Sequence, residues 1–499
     1  MNSKKKIIAC VMIAAMTAAL TACDDTGGIP QGQNAPVAAA PSTQSSTTAD
    51  PDENAATDQK IKTLDTSSYT PDGNAGTVRY LGYYDITKDQ KGIEQSLIFQ
   101  SEQYGGKIEY ISTPSGAEFY DRLGTMIASD DSPDISPHDA MLFPGNVGKN
   151  LFEPLDDYID IDSPLWIGMK DVVESFAYKG KHYKFPHKMT TSFALNYSKK
   201  TIEANNLTDP YDLYVEGKWT WDAMRELMLE FCNASDENIG LYGTDTTISA
   251  LITTTGTKLV DVKPDGTMTN NISNINVTRT MNFYETLCRD GVMYAQQYGS
   301  WIGPQDYAKV SDKLLFYAME PEWTYTAATQ DVQNKQGVEN DIFDTVSDFS
   351  FVPFPRDIEA DAYYQAFDVF GFVIPKGAKN IKGAIDMIQC FRVYETDENV
   401  IAQVRKDHVD PEKIYFTEGK YAGTEKWQIR WGEREYDLWR DMCDPDKFVM
   451  LTENAFGFGQ DFWNIYVDAI NGAAFNGESW SQMSAEISPI IDAALNEYK

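Results

Sequence analysis

The sequence predicts an α/β protein of more than one lobe, with mostly parallel sheets. Length is the first reason: 499 residues exceed what one core serves, since single cores stop growing near ~250–300 residues. Alternation is the second, because apolar, β-branched runs suited to strands take turns with segments whose apolar residues recur at helical spacing. The third is a strand–helix–strand set at the start of the folded part, of a length that implies a right-handed βαβ crossover.

A leader and a tether come before that part. Met1–Lys6 carries Lys4, Lys5 and Lys6, and Ile7–Leu20 is apolar but shorter than the roughly 20 residues a spanning helix needs. Residues 1–22 therefore read as an export signal. Leu20-Thr21-Ala22-Cys23 matches a bacterial lipobox, so Cys23 is expected to be lipidated and to become the first residue of the mature chain. One acyl chain holds weakly, at about 0.8 kcal/mol per buried CH2, and a durable anchor takes two or three. Residues 23–76 include "APVAAAPSTQSSTTADP" and bury too little apolar surface to offset the entropy of ordering. Such a tether reaches about 40 Å root-mean-square. The folded part is then expected at the outer face of the cell membrane, held by lipid and free to tumble.

Folding begins at "TVRYLGYYDI" (Thr77–Ile86), an apolar and aromatic strand. "GIEQSLIFQSEQYG" places Ile93, Leu97 and Tyr104 on one helical stripe, and "KIEYIST" is strand again. The next helix, "AEFYDRLGTMIAS", sets Phe119, Leu123, Met126 and Ile127 on one face. "SFALNYSKK" reads as strand and "TWDAMRELMLEFC" as a helix with Thr220 as N-cap. "LLFYAM" and "FSFVPFP" are short strands, and "FGFVIPKGAKNIKGAIDMIQCF" is strand, turn and helix.

The formal charge is −33, and nearer −36 once Lys4, Lys5 and Lys6 leave with the leader. Such a surface repels phosphate backbones, so nucleic acid is not an expected partner. Of six cysteines, Cys10 belongs to the leader and Cys23 to the anchor. Cys232, Cys288, Cys390 and Cys443 are scattered without a zinc spacing and read as buried thiols, one disulfide remaining open. His138, His182, His187 and His408 form no paired metal motif, so neither metal nor cofactor is expected.

In the order of the chain, "SPDI", "LFEPLDDYID", "YKGKHYKFPHKMTTSFALNYSKK", "KWTWDAMREL", "LLFYAMEPEW", "IPKGAKN" and "DFWNIYVDAINGAAFNGESW" resemble the family 1 extracellular solute-binding proteins. These are the carbohydrate-type capture subunits of ABC importers. The resemblance implies a two-lobed, periplasmic-binding-protein-like α/β fold of type II, with ligand in the cleft between lobes. Lobe one would hold residues 77–187 and return over 367–394. Lobe two would hold 188–366, with hinge crossings near 186–191 and 353–367. Residues 395–499 would pack across both. The implied partners are a small carbohydrate and ABC permease subunits, the chain itself acting as a monomer.

Ligands of open α/β sheets sit beyond the carboxyl ends of strands. That rule selects Tyr83, Tyr84 and Asp85 after the first strand, His138 and Asp139 after "PDIS", and Trp323 and Tyr325 after "LLFYAM". Rings meet the C–H face of a sugar, while Asp, Glu, Asn or His meet its hydroxyls. Trp323 also matches the strand-end tryptophan of the family, although Pro321 stands where glycine is common and Glu322 is extra. Trp463 matches a second family aromatic, and as the start of an amphipathic helix it is equally compatible with core. Thr191 at the first crossing is a rim candidate. Trp219 and Trp221 read as structural.

No G-x-S-x-G, Walker loop, G-x-G-x-x-G or metal signature argues for an enzyme, and none is expected. "DYIDIDSP" lacks the Gly and terminal Glu of a calcium loop. A surface glycoside hydrolase or lyase stays open as the alternative, since 75 acidic residues make a catalytic pair easy to imagine. Also open are an adhesin and the same binding fold with a peptide or cation as ligand.

Overall fold

The computed structural model describes residues 64, 67–88, 92–242, 245–293, 302–325, 348–409, 431–453 and 455–498. The expected leader, Cys23 and most of the expected tether lie outside the described residues, but the end of the span 23–76 is packed: Tyr69 donates to Asp386, Asp72 pairs with Lys382 at 2.8 Å, and Ala75 is buried.

Two sheets organise the described chain. In the first, Gly76–Gly82 pairs in parallel with Gly106–Ser112, Tyr80 standing beside Tyr110. On its other side Tyr80 bridges Ile135, again in parallel. Ser136–Pro137 pairs antiparallel with the far end of Tyr364–Val373, and that strand pairs antiparallel with Phe185–Thr191. Helix Ala117–Ala128 buries Phe119, Tyr120 and Leu123 against this sheet's core, with Met126 and Ile127 half-buried beside them.

The second sheet runs in the order Phe349–Val352, Ala194–Ser198, Leu314–Met319, Ile239–Tyr242. Of its three named strand pairs, Leu314–Met319 with Ile239–Tyr242 is parallel and the other two are antiparallel. The sheets are thus mixed where the sequence suggested mostly parallel strands. The reason is how the chain crosses. It enters the second sheet directly from Phe185–Thr191 into Ala194–Ser198, and returns through Phe349–Val352 into Tyr364–Val373. Outward and return strands run in opposite senses, so pairing them makes antiparallel ladders without a helical crossover.

Both faces of the second sheet are covered, which explains why "LLFYAM" reads as one unbroken apolar run and is buried throughout. Leu315, Phe316 and Ala318 belong to one core, and Leu314, Tyr317 and Met319 to another shared with Trp431, Tyr436 and Trp439. Helix Trp221–Ala234 starts where Thr220 accepts a hydrogen bond from the Ala223 amide. The flanking tryptophans are structural: Trp219 Nε1 donates to the Pro353 carbonyl at 2.8 Å, and Trp221 Nε1 to Thr254 Oγ1 at 3.1 Å. Near the carboxyl end, helix Gln460–Asn476 packs on helix Ile275–Asp290, while Ala455–Phe458 packs on Leu142–Asn146.

Candidate functional site

The strand Gly76–Gly82 and the neighbouring Ile135 run in the same direction, so the loops that follow leave one edge of the first sheet. Tyr83, Tyr84, His138 and Asp139 meet there. The Tyr83 hydroxyl donates to the His138 carbonyl at 3.4 Å, and the Tyr83 and Tyr84 rings stand edge to face at 5.1 Å.

Beneath them lies Lys184, 1% exposed, just before the first crossing strand. Its Nζ is 3.0 Å from His138 Nε2 and 3.4 Å above the Phe176 ring. An ammonium donating to that nitrogen requires the imidazole to keep its lone pair. Burial, reinforced by the Lys184 charge, holds His138 well below the ordinary histidine range and so keeps it neutral. Burial also lowers Lys184, with Asp368 and Asp139 acting in the opposite direction. Asp139 is pushed up to about 6 by burial, opposed by hydrogen bonds from the Tyr120 hydroxyl and the Met141 amide.

A second cluster forms where Leu314–Met319 ends. The Glu320 carboxylate accepts from the amides of Glu322 and Trp323, fixing the turn that presents the Trp323 ring. Trp323 is half-buried against the second core, and Tyr325 is fully inside it. His408 Nε2 lies 3.8 Å from Glu322 Oε1, and the His408 ring stacks on Trp439 at 5.6 Å. Lys188, from the middle of the first crossing strand, lies 5.7 Å from the Trp439 ring. Glu322, then Glu395, raise Lys188 against the effect of burial.

The remaining candidates have other occupations. Asp85 caps its own loop, accepting from Thr87 N and Oγ1 at 3.1 and 2.6 Å and pairing with Lys88 at 3.1 Å. Thr191 is 0% exposed; its hydroxyl donates to the Phe193 carbonyl and accepts from Gln365 Nε2. Trp463 is 5% exposed and packs edge-on to Phe456. Lys184, Tyr120, Asp368 and His408 were not singled out in the sequence. The trace of Lys184 and Lys188 was there, as a basic run "KGKHYKFPHK" in an acidic chain. Nothing local marked Asp368, which stands opposite Thr190 on the second crossing strand.

A cavity of about 440 Å3 lies elsewhere, lined by Asp156, Asp157, Tyr158, Asp160, His182 and Phe185. None of the sequence-selected ligand residues lines it. Among the described residues no group of three or more His, Cys, Asp or Glu is placed to hold a metal ion, and no helix is long and apolar enough to cross a membrane.

Several solved structures share the fold. An ABC substrate-binding protein from Listeria monocytogenes in complex with cycloalternan superposes with a TM-score of 0.57 at 13% identity, covering 84% of this chain and 99% of that one. A cyclic α-maltosyl-1,6-maltose binding protein from Arthrobacter globiformis gives 0.60 at 13% identity, covering 84% and 99%. The galacto-N-biose/lacto-N-biose I-binding protein of Bifidobacterium longum, in complex with lacto-N-biose, gives 0.57 at 14% identity, covering 86% and 99%. The described chain therefore has the two-lobed fold of these binding proteins. No curated protein sequence matches it. The family model for bacterial extracellular solute-binding proteins matches residues 98–406, a span that includes both crossing strands and most of both sheets. This chain belongs to the bacterial extracellular solute-binding proteins.

Proposed function

We propose that this protein captures a sugar or oligosaccharide by closing two lobes over it and hands it unchanged to the permease of an ABC transporter. The observation that carries the reading is the gathering of Tyr83, Tyr84, His138 and Asp139 on the carboxyl edge of the first sheet, beside the crossing strands, with Trp323 presented from the end of a strand in the second. Rings beside hydrogen-bonding groups suit a ligand with apolar C–H faces and a hydroxyl rim. The two crossing strands are the hinge, and the lobes divide near residues 186–191 and 353–367.

The same reading gives the tether its purpose. A lipid on Cys23 holds the chain at the outer face of the membrane, and a flexible segment keeps its local concentration near the permease high while permitting reorientation. The protein carries no catalytic step and works as a monomer.

A thermal-shift screen against mono- and oligosaccharides tests this. The expected result is a raised Tm with at least one carbohydrate, which mass analysis then recovers unaltered. Stabilisation by no member of the panel overturns the sugar assignment, and shortened products on long incubation favour a hydrolase.

A further inference from the structure

The second crossing strand changes character along its length. From Gln365 to Phe370 it alternates: Gln365, Phe367 and Val369 are buried, while Asp368 and Phe370 are exposed. From Gly371 to Val373 every residue is buried, because there the strand lies inside the first sheet between Ser136–Pro137 and Phe185–Pro186. So the strand is exposed on one face only where it crosses.

The change occurs at an irregularity. The register with the first crossing strand shifts between Phe370 and Gly371. A Cβ on Gly371 would come within 2.9 Å of Pro186 Cα, so the strands approach there more closely than a side chain permits. The unpaired residue is His187, on the first crossing strand, and an irregularity of this kind bends the strand that carries it. Phe370, 38% exposed, is the last exposed residue of the second crossing strand before it enters the sheet.

Its surroundings are the two clusters already described. Asp368, on the same face, acts electrostatically on both the Tyr83 hydroxyl and Lys184. Opposite Phe370 in the ladder stands Lys188, whose charge is felt by Glu322 and Glu395 and which lies beside Trp439. Phe370 thus sits between the first-sheet and second-sheet groups, on the strand pair that joins them. Same-face neighbours two apart are spaced by about 7 Å along a strand, which sets a ring and a carboxylate side by side at the scale of one sugar unit.

We infer that Phe370 is the platform on which one ring of the captured carbohydrate stacks, and that Asp368 accepts hydrogen bonds from hydroxyls at the edge of that ring. The inference rests on the carbohydrate reading. It adds the floor of the site, which the strand-end rule cannot select because these residues lie within a strand.

The test uses the wild-type protein with a carbohydrate that raises its Tm, and isothermal titration of Phe370→Ala, Phe370→Leu, Phe370→Tyr and Asp368→Asn. Phe370→Ala and Phe370→Leu are expected to weaken binding about tenfold, whereas Phe370→Tyr stays near wild type. Asp368→Asn is expected to weaken ligands that offer hydroxyls on that edge more than deoxy analogues. Ile490→Ala, which removes an exposed apolar side chain of the last helix, should change nothing. Wild-type binding with full affinity in Phe370→Ala overturns the platform and leaves the carbohydrate reading standing. Equal loss in Phe370→Leu and Phe370→Tyr also overturns it, since shape and not an aromatic face would then be at stake. Failure of the wild type to bind any carbohydrate defeats the underlying reading instead.

Discussion

At Trp323 the backbone is arranged before the ring is. The Glu320 carboxylate takes up two amides of the turn, so the indole leaves the end of its strand in a set direction, half-buried and not absorbed into the core. Trp323→Ala should weaken carbohydrate binding by at least tenfold, about 1.4 kcal/mol. Its urea midpoint should stay close to wild type. Unchanged affinity by calorimetry removes Trp323 from the site. His187 makes a different prediction. It is stacked at 5.4 Å on Phe372 and at 5.2 Å edge-on to Phe391, and burial, with Lys188 and Arg392 nearby, pushes it down to about 3. Below the ordinary value of 6.5 the unfolded chain binds a proton that the folded chain refuses. This residue's contribution is therefore present above that value and is lost as pH falls towards about 3. His187→Phe should flatten the decline of the urea midpoint across that window, and an unaltered slope would refute the assignment.

The crossing ribbon is the element on which these residues depend. Phe185–Thr191 and Tyr364–Val373 hold each other antiparallel, and Gly371 lets them touch at the irregularity. Gly371→Val should cost about 1–3 kcal/mol by overpacking against Pro186, read as a lowered urea midpoint. An unchanged midpoint would mean that the ribbon tolerates separation there. Much of this element was legible and some was not. The runs at "SFALNYSKK" and "FGFVIP" marked strands, and Thr220 marked a helix start, because periodicity and capping are local. That the two strands pair was not legible, since Thr191 and Phe367 are neighbours only after folding. Thr191 shows the limit well. Its place on a crossing strand was foreseeable, but the direction of its hydroxyl, inward to Gln365 and Phe193, is set by the partner strand.

For the whole molecule, the proposal of two closing lobes predicts that saturating carbohydrate reduces the radius of gyration. Small-angle scattering measures this, and identical curves with and without ligand would refute closure. The proposed anchor predicts that Cys23→Ser shifts the protein from the membrane fraction to the medium, with ligand affinity unaffected. Continued membrane association of that variant would refute anchoring through Cys23.

What the sequence determined by itself was encoded over short spans: strand and helix types, the acidic composition, and an ordered set of motifs that resembles one family. Only the tertiary structure decided what each face meets. It seated Lys184 under His138, drew Lys188 towards Glu322 and Trp439, left Phe370 and Asp368 exposed on the crossing strand, and committed Trp463 to packing. The physical reason is one of range. Side-chain periodicity reports which face is apolar, whereas burial, charge and access depend on partners that lie far away along the chain.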